Sequence, residues 1–327
     1  MITRRQIVLA LGASALAASH ASRAQKPSKI PRIGFLSLAA SKVVPTSEAF
    51  RQGLRELGYV EGENLAIEWR YADNHFERLH ELAMELVRLN VDVIVTGGTP
   101  SIAAAQKATA TIPIVMTSSG DPVASGFVKS LARPGTNITG LSIISFGTAP
   151  KQLELLTAMV PKLSRVGYLI NPVNEVSGLV IKRVEAAAQG IGISVLAAEA
   201  RSVQGFEPAF TGLKKRRAEA LIIANDSLFI TNRDRVASLA AKYRLPSISG
   251  FQEYVTAGGL MSYGANRAET WRHAAIYVDK ILKGAKPSDL PVEQPTRIEL
   301  DINAKTAKKL GLAIPQSIQV RADRVIE

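Results

Sequence analysis

From Pro31 onward the chain alternates short β-branched runs with stretches of helical periodicity, and it does so in two successive series. Such alternation restricts the fold to βαβ units around parallel sheets, because a parallel strand is reached only through a crossover, usually a helix. "RIGFLS" reads as the first strand. Phe50, Leu54 and Leu57 then recur at i, i+4 and i+7, an amphipathic helix that Gly58 ends. "NLAIEWRYAD" is the second strand, and Leu79, Leu82, Leu86 and Leu89 share one face of the second helix. "VDVIVTGG", a helix from Pro100, "IPIVMTSSGD", a helix around Ala124 to Leu131, and "NITGLSII" complete a five-strand series. After a connecting helix in "PKQLELLTAMVP" the pattern restarts with "RVGYLINP", "ISVLAAEA", "ALIIAND" and "LPSISG", separated by helices near 178–189, 206–217 and 232–243. "GGLMSYG" leads to a long helix from Arg267 to Leu282 and a tail with one strand and one helix, too short for a third domain. At 327 residues and 46% hydrophobic content, two cores suit the chain better than one.

The first residues obey different rules. Arg4-Arg5, an apolar stretch from Ile7 to Ala18, and Ser22-Arg23-Ala24 before Gln25 compose an export signal, 1–24, with cleavage expected after Ala24. The apolar run falls well short of the roughly 20 residues that span a bilayer. Thr3-Arg4-Arg5-Gln6 leaves the general and twin-arginine export routes both open. The protein is therefore expected in the periplasm, soluble, and held together without disulfides, since it has no cysteine. Of 40 basic residues three lie in the signal, leaving 37 against 28 acidic. This surplus is scattered along helices beside acids, as in "FRQGLRELG", and an exported chain rarely meets nucleic acid, so no nucleic-acid partner is expected.

Chemistry that an enzyme would need is missing from the letters. There is no G-x-S-x-G elbow, no phosphate loop and no G-x-G-x-x-G after a strand, so no cofactor is expected. His75 and His80 are five residues apart, roughly 140° around a helix, and do not share a metal-binding face, so no metal site is expected either. An exported α/β hydrolase-like enzyme is the main alternative, and it requires a reactive residue at a strand end. A sugar-repressor-like regulator is a second, and it requires a helix-turn-helix where the export signal stands.

In open α/β sheets ligands sit outside the carboxyl ends of strands, so the residues just after each apolar run carry the information. Thr99-Pro100 reads as N-cap and N1 of a helix, with Gly97 and Gly98 letting a ligand approach the backbone. Ser118-Ser119-Gly120-Asp121-Pro122 reads as a second cap-and-proline corner. Two helix N-termini aimed at one spot would hold a carboxylate, although caps and glycines also serve any βα loop. In the second series Asp226 either pairs a ligand ammonium or caps the next helix. Asn171 and Asn174 can both donate to and accept from a ligand, and Phe251, Tyr254 and Tyr263 are candidate walls or core.

Four strings, "FRQGLRELGYVEGENLAIEWRYAD", "LVRLNVDVIVTGGTPSIAAAQKATATIPIVMTSSGDPVASGFVKSLARPGTNITGLS", "GGLMSYG" and "AAIYVDKILKGAKPSDLPVEQPTRIELDINAKTAKKLGLAIP", resemble the ABC transporter substrate-binding proteins of the tryptophan/tyrosine type. The resemblance runs from about residue 30 to the C-terminus. It implies a type I periplasmic binding fold: two Rossmann-like α/β lobes joined by three crossover segments, lobe 1 being 30–144 plus 264–284 and lobe 2 being 145–263 plus 285–327. It further implies that Ser37, Thr99, Ser118, Ser119 and Asp121 face the cleft from lobe 1, and Asn171, Asn174 and Asp226 from lobe 2. Function then follows as a small carboxylate-bearing, aromatic-amino-acid-like ligand held in the cleft. The monomeric receptor would deliver it to an inner-membrane ABC permease served by a separate ATPase subunit.

Overall fold

The computed structural model describes residues 30–39, 45–143, 145–174 and 176–327, and Pro31 to Glu327 forms one unit by its contacts. The expected export signal lies outside the described residues. In chain order the first series contains β1 (Arg32–Ser37), α1 (Pro45–Glu56), β2 (Ala66–Tyr71), α2 (Leu79–Arg88), β3 (Val93–Thr96), α3 (Thr99–Ala108), β4 (Ile114–Ser119) and β5 (Ile138–Ser142). The second contains α4 (Ser145–Met159), β6 (Arg165–Ile170), α5 (Ser177–Gln189), β7 (Ser194–Glu199), α6 (Phe206–Lys215), β8 (Ala220–Ile223), α7 (Ser227–Thr231), α8 (Arg233–Lys242), β9 (Ser247–Ser249), α9 (Gln252–Thr256) and β10 (Met261–Gly264). The chain ends with α10 (Arg267–Leu282), β11 (Glu299–Asn303), α11 (Ala304–Leu310), α12 (Gln316–Gln319) and β12 (Arg324–Ile326).

The first sheet is parallel throughout, in the order β2-β1-β3-β4-β5. Its central strand, Val93-Ile94-Val95-Thr96, is buried on both faces, as a continuous β-branched run requires. Side chains alternate across the sheet, so Val93 and Val95 join a core with Phe35, Phe50, Trp271 and Tyr277 under α1 and α10. Ile94 points the other way, into a core with Ile102, Leu86, Leu79 and Met116 under α2 and α3. The second sheet runs β12-β11-β10-β9-β8-β6-β7 and is parallel except where β10 meets β11. It has one core, built on Tyr168, Leu169, Phe206, Phe210, Leu221, Ile222, Ile248 and Met261.

Three segments carry the chain between the sheets: after β5, after β10, and before β11. The long helix α10 follows a strand of the second sheet yet packs on α1, β4 and β5 of the first. The last crossing comes later than the expected start of lobe 2 at residue 285. Thr139 Oγ1 donates to Leu290 O, Tyr277 OH donates to Pro291 O, and Val292 N donates to Leu131 O. Glu293 N donates to Gly140 O and its carbonyl accepts from Ser142 N, so the chain stays on the first sheet through Glu293.

The helix expected around Ala124 to Leu131 is replaced by turns. Gly126 adopts φ +68°, outside the helical region, and the segment is pinned by buried Phe127 and Val128 and by the Thr136 hydroxyl donating to Phe127 O. Spacing of the apolar residues imitated a helix; the left-handed glycine interrupts it.

Candidate functional site

The carboxyl ends of the two sheets face one cavity of about 210 Å³. From the first sheet it takes residues at the ends of β1, β3 and β4 and the start of α1; from the second, residues after β6, β8 and β9. Thr99 and Asp226 line the same hollow. So do Ser37, Gly98, Ser118 and Asn174, bringing together six of the ten residues singled out in the sequence.

The other four serve different ends. Ser118 and Ser119 are neighbours on a strand and point to opposite faces, so Ser118 reaches the cavity while Ser119 is sealed behind it. Asp121 Oδ1 accepts from Val123 N and Ala124 N, closing a tight turn with no helix after it. The expected second helix N-terminus at that corner therefore does not exist. Asn171 is fully buried, its Nδ2 donating to Asp226 Oδ1 at 3.1 Å and its Oδ1 accepting from Val173 N. Tyr263 packs on the second core, and its carbonyl accepts from Gln152 Nε2. Of the other aromatic candidates, Tyr254 is core, its hydroxyl 2.6 Å from Ser247 Oγ, while Phe251 does form cavity wall.

At the glycine corner the N-cap is Gly98 and not Thr99. Gly98 has φ +85° and ψ 135°, a conformation reserved for glycine, and its carbonyl accepts from Ser101 N and Ile102 N. The helix thus starts one residue early and leaves the Thr99 side chain on the cavity wall. A Cβ on Gly98 would stand 2.3 Å from Ser227 Oγ, at the start of α7 in the opposite half. What this glycine admits is the other lobe's hydroxyl. Gly97 makes room in turn for Thr117, Ser118 and Trp271, whose Cζ2 would lie 3.0 Å from a Cβ there.

Asp226 fills the role of helix cap and more. Its Oδ1 accepts from Leu228 N at 2.9 Å and from Asn171, and its Oδ2 accepts from Asn174 Nδ2 at 2.7 Å. Burial pushes its carboxyl above the ordinary range, against the three donors, which pull it down. The result is a buried bracket that ties the loop after β6 to the end of β8 and aims Asn174 at the cavity.

Sequence reasoning missed walls contributed by helices. Trp271 on α10 is almost wholly buried, its ring centre 5.2 Å from that of Phe35, and its indole N–H has no partner among the described residues. Asn74 and Asn225 also belong to the wall, and their Oδ1 atoms are buried and have no partner among the described residues. A donor-only indole on a buried helix face was the one available signal, since such a group normally finds an acceptor. Two arginines complete the lining. Arg267 Nη1 pairs with Glu253 at 2.8 Å while its guanidinium lies 5.2 Å from the centre of the Phe251 ring. Arg233, the first residue of α8, donates from Nη1 to Ile230 O at 3.3 Å. Among the described residues no group of three or more His, Cys, Asp or Glu is placed to hold a metal, and no helix is long and apolar enough to cross a membrane.

Two open sheets crossed three times by the chain, with strand ends converging on one cavity, make this a type I periplasmic binding fold. The chain belongs to the ABC transporter substrate binding protein family, whose sequence profile matches residues 41–326. A curated relative, the tyrosine-binding protein of Clostridioides difficile (strain R20291), is 27% identical over 296 residues, covering 90% of this chain and 85% of its own. The ABC domain from Streptococcus pneumonia solved in complex with L-Trp is similar at 26% identity with a TM-score of 0.84, covering 90% of this chain and 99% of that one. A ligand-free, open structure of a substrate binding protein with adhesive properties from Clostridium difficile is 27% identical, covers 91% and 99%, and has a TM-score of only 0.65. At nearly the same identity, the arrangement seen here is nearer the L-Trp complex than the open form.

Proposed function

We propose that this chain is the periplasmic, monomeric receptor of an ABC importer, and that its cleft closes on a small carboxylate-bearing, aromatic-amino-acid-like ligand for delivery to a membrane permease. The observation that carries this reading is the cavity itself, lined from both halves by residues that include Trp271, Asn225 and Asn74, whose Nε1, Oδ1 and Oδ1 atoms are buried without partners among the described residues. Buried polar atoms left unpaired are costly, and a bound molecule toward which these side chains turn would satisfy them. A volume of about 210 Å³ suits one amino-acid-sized molecule better than the drug-sized ligands of pockets of roughly 300–1,000 Å³. Phe251 and Trp271 supply ring-sized apolar walls, and relatives named for tyrosine and solved with L-Trp support an aromatic side chain. Closure by hinge motion fits the closer likeness to the L-Trp complex.

Thermal-shift screening of amino acids, aromatic acids and small carboxylates tests the proposal. A true ligand at a hundredfold its dissociation constant adds roughly 2.7 kcal/mol of stability. If L-tryptophan, L-tyrosine and the other amino acids all leave the melting point unmoved, the amino-acid-like assignment is wrong.

A further inference from the structure

Resting on the reading that the cavity holds a carboxylate, we propose that Arg233 is the residue that anchors it, and that Arg267 is not. Both arginines belong to the cavity lining, so the choice turns on what each already does. Arg267 is committed on both counts. Its charge is met by Glu253 at 2.8 Å, and its plane lies against Phe251, with only 15% of the side chain exposed. Moving it onto a ligand would unpair Glu253 and release the aromatic wall. Its role is to hold Phe251 in place.

Arg233 stands half-buried on the same cavity, and among the described residues its hydrogen bonding is one long bond from Nη1 to the Ile230 carbonyl. Among the described residues no carboxylate pairs with it. A guanidinium carries five N–H donors in a rigid fork, shaped to take a carboxylate by two parallel bonds. The negative group nearest in sequence on this wall, Asp226, does not compete, because Asn171, Asn174 and Leu228 N already occupy it. An unpaired fork on the wall of a small cavity is a specificity device for an acid: it attracts a carboxylate and gains little from the neutral amide of the same shape. The second lobe thus captures the charged end, and closure brings Thr99, Ser118 and Trp271 onto the remainder.

The test uses the full chain and matched pairs: L-tryptophan and tryptophanamide, L-tyrosine and tyrosinamide, indole-3-acetate and indole-3-acetamide, by calorimetry. The wild type should prefer each acid that it binds over its amide. Arg233→Gln should weaken the acid by roughly ten- to 150-fold and leave the amide nearly unchanged, the loss of a charge-assisted hydrogen bond. Arg233→Lys should keep part of the preference, as a point charge without the fork. Arg267→Gln should weaken acid and amide alike, through the ring. An Arg233→Gln protein of normal melting point that keeps the wild-type preference overturns the assignment to Arg233 and leaves the receptor reading standing. Binding of indole-3-acetate alone, with its preference lost in Arg233→Gln, supports Arg233 and removes the amino-acid-like ligand. Binding of no carboxylate by the wild type overturns both.

Discussion

Gly98→Ala separates the cost of folding this protein from the cost of closing it. An alanine at φ +85° and ψ 135° is strained by about 1–3 kcal/mol in either state of the cleft, so the melting point should fall with or without ligand. The second penalty depends on the other lobe. The new Cβ would sit 2.3 Å from Ser227 Oγ, more than an ångström inside ordinary contact, and that neighbour comes from the opposite half. Because Ser227 Oγ can turn away, relieving the overlap falls at the low end of overpacking costs, about 1 kcal/mol. It falls only on the closed form, so L-tryptophan or L-tyrosine should bind about fivefold more weakly by calorimetry. Ser227→Ala supplies the control. It removes Oγ and leaves the Ser227 Cβ at 3.6 Å, an ordinary contact, so Gly98→Ala/Ser227→Ala should regain affinity while keeping the lower melting point. Small-angle scattering with saturating ligand should show the single variant more open than the double. A Gly98→Ala protein that binds like the wild type, or a double variant no better than the single, would refute the claim that Gly98 meets Ser227 on closure.

Gly140 at φ +123° would put a Cβ 2.2 Å from Met116 O and 2.7 Å from Met116 N, backbone atoms with no rotamer to escape into. Gly140→Ala should therefore cost more than about 3 kcal/mol, roughly 6–12 °C or more in melting temperature. Gly126→Ala, at φ +68° with nothing within 4 Å, should cost only about 1 kcal/mol, and equal losses by calorimetric melting would refute the packing argument. Asp226 sets a pH dependence. Its carboxyl is raised in the folded protein, so the fold binds this proton more tightly than the unfolded chain does. Its contribution is complete below the unfolded value near 3.8 and is lost as pH rises through the higher folded value. Urea unfolding of wild type and Asp226→Asn in parallel should show the wild type losing ground as pH climbs from that point. A difference that stays flat or grows in its favour would mean the three donors outweigh burial.

Most of the fold was legible because parallel strands buried on both faces leave continuous β-branched runs, and their spacing announces the crossover helices between them. The segment after Asp121 was misread because periodicity is a property of apolar residues alone, whereas Gly126 and the turn at Asp121 Oδ1 are set by backbone. Likewise the end of lobe 1 depends on Leu290 and Glu293 finding β5, a pairing that no local pattern encodes.

The rule that ligands lie beyond strand ends picks out Ser37, Gly98, Thr99, Ser118, Asn174 and Asp226, which line the cavity, because strand ends are local features. What each does there is a question about partners far along the chain. Asn171 and Asn174 look alike as letters; both pair with Asp226, and burial leaves only Asn174 on the wall. Arg233 and Arg267 look equally charged, and only the position of Glu253 divides a wall support from an anchor. Gly98 looked like a gap left for a ligand, and it is the gap left for Ser227. A cleft that closes has to reserve room for its own far side as well as for its guest. In this chain the glycine serves the first need and the unpaired atoms of Trp271, Asn225 and Asn74 record the second.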